Sequence, residues 1–323
     1  MQGHSVDEYR APLFLAWQLT NRCGARCITC CEESGPDKAW GDELRRDEAL
    51  DLAQRIAAFG IAYVAFGGGE PLGVPHCWDL LELLARAGVS LKLETDGSRI
   101  DDAAADRLSA LGVQCIQISV DGATAATHER VRPGSSFTAA IAAIERLAAR
   151  GSVPQFVFVP TRFNVHEIVA AFDLAVTLGC GAFVTGPLMR IGRAATDWQR
   201  IACSDEEWAR AIAALKERAA STNARITLSI YPWDIVTEIE TRLEQPQAML
   251  LVVPNGKVKL LNALPFAPAD LRRDSLEDAW RAYCDAWRAP EVRKFVASCR
   301  SNPALLRHAN ETWAMLRNAD QRA

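Results

Sequence analysis

The sequence predicts an α/β fold: a partial (β/α)6 TIM-like barrel followed by a smaller α+β C-terminal domain. Short apolar, β-leaning runs alternate with amphipathic helical stretches from about Leu13 to Pro187, six times in succession. That alternation implies a parallel sheet covered by helices. An open doubly wound sheet would satisfy it too. The barrel is favoured because the residues with unusual chemistry all follow strand candidates at their C-terminal ends, which in a β/α barrel converge on one mouth.

In order, the strand candidates are Leu13–Leu19, Ala62–Phe66, Ser90–Leu93, Gln114–Val120, Gln155–Val159 and Ala182–Thr185. Helical periodicity between them puts Leu52, Ile56 and Phe59 on one face, Phe137, Ile141, Ile144 and Ala148 on a second, and Ile168, Phe172, Ala175 and Leu178 on a third. Asp101 is placed to cap a helix, and Gly151 and Gly179 to end two others. After Gly192 the pattern changes. A helix with Trp208, Ile212, Leu215 and Ala219 on one face precedes a strand near Arg225–Tyr231, and two β runs then flank the hairpin signal Asn255–Gly256. A helix around Leu276–Trp287 follows, with a polar tail near Arg317–Ala323. This divides the chain into an N-terminal extension (1–12), a barrel (13–198) and a C-terminal domain (199–323).

Composition narrows the function. At 323 residues and 49% hydrophobic the chain can bury a substantial core, and its net charge of −4 with interspersed signs gives no basic stripe for nucleic acid. Met1 to Arg10 lacks the apolar core of a signal peptide, and no apolar run approaches the roughly 20 residues of a membrane helix. A cytoplasmic protein with neither a nucleic-acid nor a membrane partner is expected. Ten cysteines are too sparse for a disulfide scaffold. Cys77, Cys115, Cys180, Cys203, Cys284 and Cys299 lie singly and read as small core hydrophobes.

The other four crowd into "NRCGARCITCCEESGP", Asn21 to Pro36. Cys23, Cys27 and Cys30 have the spacing C-x3-C-x2-C. Three thiolates on one loop can each bind one iron of a [4Fe–4S] cube, leaving the fourth iron open to a substrate or cofactor. A zinc site would need a second ligand pair, and no C-x2-C or H-x3–5-H pair occurs downstream. A redox pair, Cys27 with Cys30, leaves Cys23 unexplained. "GGGEP", Gly67 to Pro71, lets backbone approach a ligand closely and adds Glu70 as an acceptor for an ammonium group, or is simply a tight turn. In "ISVDG", Ser119 and Asp121 share one side of a strand end, as caps or as ligand contacts. "ETDG", Glu94 to Gly97, is a turn or a ligand loop.

Together these motifs resemble the radical S-adenosylmethionine (SAM) superfamily, in order and spacing, from about Leu13 to Ala194. "SVDGATAATHERVRPGSSFTAAIAAIERL" and "GPLMRIGRA" resemble the branch of peptide- and cofactor-maturation enzymes with a SPASM or twitch C-terminal domain, and "VPNGKV" and "DSLEDAW" look like remnants of that domain. The resemblance implies that Cys23, Cys27 and Cys30 ligate one [4Fe–4S] cluster and that SAM chelates its open iron. It implies that Gly68, Gly69 and Glu70 receive the methionine ammonium group, that Ser119 and Asp121 contact sugar or carboxylate, that Met189 lies by the adenine, and that Thr95 meets cofactor or substrate. The implied reaction is reductive cleavage of SAM to a 5′-deoxyadenosyl radical, which takes hydrogen from a natural-product, peptide or cofactor precursor in an epimerisation, rearrangement or oxidation. A flavodoxin or ferredoxin would supply the electron. The alternative is a non-catalytic iron–sulfur electron-transfer or sensor protein.

The chain departs from that branch. Asp96 stands where Asn is usual, Thr29 where an aromatic or His is common, and Leu261 and Asn262 where an auxiliary-cluster cysteine is expected. With Cys203, Cys284 and Cys299 alone in the C-terminal region, a single cluster is expected. Any of Cys180, Cys203, Cys284 and Cys299 could serve as a hydrogen-atom donor, and Trp233, Phe266 and Trp280 could contact substrate from a lid. Cys31 is the extra cysteine, assigned to packing or to support behind the ligating thiols.

Overall fold

All six expected strands form, within two residues of the limits read from the sequence: β1 (Phe14–Gln18), β2 (Tyr63–Gly67), β3 (Ser90–Thr95), β4 (Cys115–Ser119), β5 (Gln155–Phe158) and β6 (Ala182–Thr185). The computed structural model describes residues 6–315; the tail expected at 317–323 and residues 1–5 of the N-terminal extension lie outside the described residues. Neighbouring strands run parallel in chain order, in the register Leu15↔Val64↔Leu91 and Gln117↔Gln155↔Ala182.

Successive strand residues face opposite ways. The register therefore stacks Leu15, Trp17, Val64, Phe66, Leu91, Leu93, Ile116, Ile118, Phe156 and Phe158 on the outer face, all buried. Six helices follow the strands: α1 (Arg46–Phe59), α2 (Cys77–Arg86), α3 (Asp102–Ala110), α4 (Ala125–Val131), α5 (Phe137–Ala148) and α6 (Ile168–Thr177). The inner face carries Ala16, Gln18, Ala65, Gly67, Lys92, Glu94, Gln117 and Gln155. It is polar: Lys92 pairs with Glu94 at 2.6 Å, and Gln117 Nε2 donates to Gln155 Oε1 at 2.8 Å. A barrel packed for stability fills this side with branched apolar residues; here it suits water or a ligand.

The expected faces of α1 and α6 are buried, through Leu52 and Ile56 in the first and Ile168, Phe172 and Ala175 in the second. Asp101 caps α3 by accepting the Ala104 N–H at 2.8 Å. In α5 the buried stripe is Ala140, Ala143, Ile144 and Leu147, turned from the expected one, with Phe137 and Ile141 only half-buried. The cause is close approach by the "ETDG" turn. A Cβ on Gly97 would lie 3.0 Å from Ala143 Cβ and 3.2 Å from Ala140 Cα, so small residues occupy the contact.

Beyond β6 come α7 (Gly192–Thr196), α8 (Trp198–Ile201) and α9 (Asp205–Ser221), the last burying Leu215. Next are β7 (Thr227–Ile230), α10 (Ile235–Glu244), β8 (Met249–Val252), β9 (Lys257–Lys259), β10 (Phe266–Ala267), β11 (Ala269–Asp270), α11 (Leu276–Ala286), α12 (Pro290–Ser301) and β12 (Trp313–Ala314). The boundary expected at 198/199 falls at the start of α8, yet strands from beyond it extend the barrel sheet at both edges. β7 pairs in parallel with β6 and β8 in parallel with β1, while β9 returns antiparallel on β8 through the Asn255–Gly256 turn. Among the described residues the sheet has ten strands, in the order β11-β9-β8-β1-β2-β3-β4-β5-β6-β7.

Two of the expected lid aromatics are core residues instead. Trp280 stacks on Tyr283 and donates its Nε1–H to the Tyr9 carbonyl at 3.3 Å, and Phe266 lies edge-on to Phe295 and Trp313. Trp233 is half-buried against the Arg242 guanidinium. Among the described residues no helix is long and apolar enough to cross a membrane.

Candidate functional site

The loop from β1 to α1 holds the four clustered cysteines and is pinned from several sides. Within it, the Cys23 N–H donates to the Gly35 carbonyl at 3.0 Å. Near α4, the Arg26 and Ile28 N–H groups donate to the Pro133 and Val131 carbonyls at 2.7 and 2.9 Å. From α7, Arg193 gives Nη1–H to the Cys27 carbonyl at 2.5 Å, Nη2–H to Ser34 at 2.6 Å and its backbone N–H to Cys30 at 3.0 Å. Asn310 Nδ2 donates to the Cys31 carbonyl at 2.8 Å. The sulfurs are treated unequally. Cys23 Sγ accepts the Ala25 N–H at 3.4 Å and Cys30 Sγ the Ser34 N–H at 3.3 Å, contacts that stabilise thiolate charge. Cys31 Sγ instead meets the Thr29 carbonyl at 4.0 Å. Burial pushes the Cys23 and Cys30 thiols up to about 11 and raises Cys27 as well, so metal binding would have to displace their protons.

The "GGGEP" turn after β2 lies directly against this loop. Gly69 and Glu70 donate backbone N–H bonds to the Thr20 and Arg22 carbonyls at 2.8 and 3.0 Å. A Cβ on Gly69 would fall 2.1 Å from the Arg22 oxygen, so no other residue fits. Glu70, 3% exposed, accepts the Thr95 hydroxyl at 2.9 Å, the Asp96 N–H at 3.0 Å and the Leu72 N–H at 3.2 Å. Burial first, and then Asp96, push its carboxyl up to about 8. Glu70 and Thr95 thus hold each other and tie two of the sequence motifs together.

At the end of β4, Asp121 is fully buried. Its Oδ1 accepts the Val159 N–H at 2.7 Å and its Oδ2 the Arg132 Nη1–H at 3.0 Å. Its backbone N–H donates to His128 Nδ1 at 3.1 Å, which leaves the other ring nitrogen to donate to Ser135 Oγ, also at 3.1 Å. Arg132 is a buried guanidinium whose Nε has no hydrogen-bond partner among the described residues. Burial works against its charge, but Cys27, Asp121 and Asp96 around it more than offset that and raise its pKa. Sequence reasoning missed Arg132, since nothing in "HERVRPG" marks which arginine turns inward.

On the inner face, Gln18, Glu32, Gly67, Gly68, Glu94, Met189, Glu238, Leu261 and Asn262 line a cavity of about 420 Å³. A Cβ on Gly67 would lie 2.9 Å from Glu94 Oε2, which places that carboxylate over the strand end.

The description "Radical SAM superfamily" matches this chain over residues 17–175. That segment is a radical SAM domain. The chain is 35% identical over 199 residues to mycofactocin maturase MftC of Mycobacterium ulcerans, covering 61% of this chain and 52% of that protein. It is 34% identical over 185 residues to the AdoMet-dependent heme synthase of Methanosarcina barkeri, covering 57% and 52% respectively. The chain therefore spans about half the length of the curated relatives it matches. In fold it is similar to Streptococcus suis SuiB bound to S-adenosylmethionine, with TM-score 0.71 at 13% identity, over 92% of this chain and 72% of that one.

The residues of this segment fit S-adenosylmethionine, with which SuiB has been solved, and the iron–sulfur cluster that the cysteine spacing implies. A three-thiol loop with N–H donors on two sulfurs suits an iron–sulfur cluster lacking a fourth protein ligand, and the unpartnered Arg132 Nε, on a guanidinium close enough to act on the Cys27 sulfur, suits a carboxylate. Among the described residues no three His, Cys, Asp or Glu side chains converge as ligands of one single metal ion. Of the sequence-derived contacts, Gly68 and Met189 meet at the cavity, Ser119 ends β4 on the inner face, and Gly69 abuts the cysteine loop. Asp121, Glu70 and Thr95 each have protein hydrogen-bond partners. Cys180, Cys203, Cys284 and Cys299 do not line the cavity; Cys180 and Cys299 are buried and the other two half-buried. Glu32 and Glu238 were missed as cavity residues, while Glu94 belongs to the "ETDG" stretch read as a turn or a ligand loop, and strand alternation puts it and Thr95 on opposite faces.

Proposed function

We propose that the chain is a radical SAM enzyme: Cys23, Cys27 and Cys30 hold one [4Fe–4S] cluster, SAM binds at its open iron, and hydrogen is taken from a peptide, cofactor or other natural-product precursor. The observation that carries this reading is the three-thiol loop set beside a buried guanidinium with one unused N–H. Bound there, cluster and SAM supply a one-electron cleavage that yields a hydrogen-abstracting 5′-deoxyadenosyl radical.

The chain's own groups do the positioning. Arg132 Nε would donate to the SAM carboxylate, and Asp121 acts through Arg132 by fixing its guanidinium. Backbone carbonyls at Gly68 and Gly69 would accept the ammonium group, with Glu70 set one step back as the anchor of Thr95 and Asp96. Ser119 would reach the ribose, and Met189 the adenine. Arg193 and Asn310 hold the cysteine loop still, which keeps the thiols in one geometry.

Peptide substrates draw support from the relatives, since MftC is named a maturase and SuiB has been solved with its precursor peptide SuiA. A cavity of about 420 Å³ takes one side chain of such a peptide, or a small molecule. A flavodoxin or ferredoxin of the cytoplasm would deliver the electron. The test is anaerobic reconstitution followed by SAM and dithionite. Formation of 5′-deoxyadenosine is expected; its absence from cluster-loaded protein would instead favour an electron carrier or sensor.

A further inference from the structure

A second cleft, of about 670 Å³, opens on the cysteine loop and shares no lining residue with the inner-face cavity. It is lined by Arg22 and Cys23 of that loop, Glu43 before α1, Val74 and His76 before α2, and Arg99 after β3. Of Cys23, Cys27 and Cys30, Cys23 alone reaches it; Cys23 is half-buried, whereas Cys27 is buried. The binding of SAM and substrate at the inner face leaves this cleft without a role.

Its charges are set out unequally. Arg22 and Arg99 are exposed, and neither guanidinium has a hydrogen-bond or ion-pair partner among the described residues. The Arg99 Nε lies over Gly73, 3.3 Å from where a Cβ there would stand. Neighbouring arginines are matched instead: Arg26 pairs with Asp37 at 2.8 Å and Arg46 with Asp79 at 2.9 Å. The two lining carboxylates face inward. Glu43 accepts the Thr20 hydroxyl and the Asn21 N–H at 2.8 Å and the Trp40 N–H at 2.9 Å, and Glu70 is buried on Thr95, Asp96 and Leu72. What the mouth presents to solvent is therefore two free guanidinium groups, and planar guanidinium forks suit carboxylates.

We propose that this cleft is where the electron donor docks, a small protein with acidic side chains around a flavin or iron–sulfur group, and that Arg22 and Arg99 meet its carboxylates. The partner's role rests on the radical SAM reading; its acidic face rests on the two arginines. The carrier loses one electron, a flavin hydroquinone passing to the semiquinone, and that electron enters on the Cys23 side and reduces the cluster by one. A cleft of this size takes one protruding loop. Redox encounters bury less than about 1,200 Å² and must release quickly, which charges on a rim allow and a large apolar patch does not.

The experiment titrates an oxidised flavodoxin of strongly negative net charge into the reconstituted protein by calorimetry. Anaerobic stopped flow then follows bleaching of the cluster by the flavodoxin hydroquinone. Arg99→Glu weakens binding at least about fivefold, and raising salt from about 0.01 to about 0.15 M removes most of that difference. Bleaching by flavodoxin slows in step, while bleaching by dithionite keeps its wild-type rate. No binding by wild-type protein, wild-type affinity in Arg99→Glu, or binding indifferent to salt overturns the proposal. If Arg99→Glu does not fold, Arg22→Glu replaces it, with the same loss of affinity expected and wild-type affinity contrary. Formation of 5′-deoxyadenosine with dithionite is read separately. If it occurs while flavodoxin binding ignores the arginines, this inference alone fails; arginine-dependent binding without 5′-deoxyadenosine contradicts the reaction and leaves the docking surface standing.

Discussion

Gly192 packs so tightly under Cys31 that a Cβ on it would lie 2.1 Å from the Cys31 carbonyl oxygen. Its φ of 55° is in the left-handed region as well. The segment after β6 thus meets the cysteine loop backbone to backbone. Gly192→Ala adds a left-handed penalty of about 1 kcal/mol to a clash that only movement of the loop relieves. A lower melting temperature and a reduced iron content after anaerobic reconstitution are expected; iron equal to wild type would show that the loop does not need this contact.

Arg132 and Asp121 form a buried pair with 12% and 0% of their side chains exposed. Removing one partner strands the other charge. Arg132→Met should cost about 3–5 kcal/mol of stability by urea unfolding, and Arg132→Met with Asp121→Asn should recover part of it. Additive losses would mean that the pair is not coupled.

His128 is buried and neutral, one ring nitrogen accepting from Asp121 and the other donating to Ser135. Burial, and then Arg132, hold its pKa down to about 3, against 6.5 when unfolded. Between those values the unfolded chain binds the extra proton, so stability is full above 6.5 and falls as the pH drops, by about 1.4 kcal/mol per unit. His128→Gln should show a shallower decline over that range in denaturant titrations. Identical slopes in the two proteins would contradict the buried neutral ring.

Cys31→Ala should load as much iron as wild type, about four atoms per chain, whereas Cys27→Ala should lose the cluster. Iron and sulfide analysis decides between them, and iron loss in Cys31→Ala would move the ligand set by one residue. About eight irons in wild type would show a second cluster and break the single-cluster reading.

The strands were readable as short β-leaning runs, four of them marked as well by a strand-end motif, as at Phe14–Gln18 before the cysteines and Tyr63–Gly67 before "GGGEP". The α5 face was misread because periodicity ranks residues by hydrophobicity, while the close approach of Gly97 selects for the small size of Ala140 and Ala143. In the site, spacing exposed the three cysteines and the glycines that abut them. Arg132, Glu32 and Glu238 were out of reach, since an inward-turned charge shares its sequence signature with a solvated one. The hairpin at Asn255–Gly256 was legible as a hairpin, but its seat on β1 is a long-range pairing that no local pattern encodes.

Cys23, Cys27 and Cys30 would each hold one iron of a [4Fe–4S] cluster and leave its fourth iron open. Electron paramagnetic resonance of the reduced, reconstituted protein, recorded before and after SAM is added, tests it directly. The expected signal is that of one [4Fe–4S] cluster whose g-values change when SAM binds, because the open iron gains ligands. An unchanged spectrum from protein carrying about four irons per chain would contradict it.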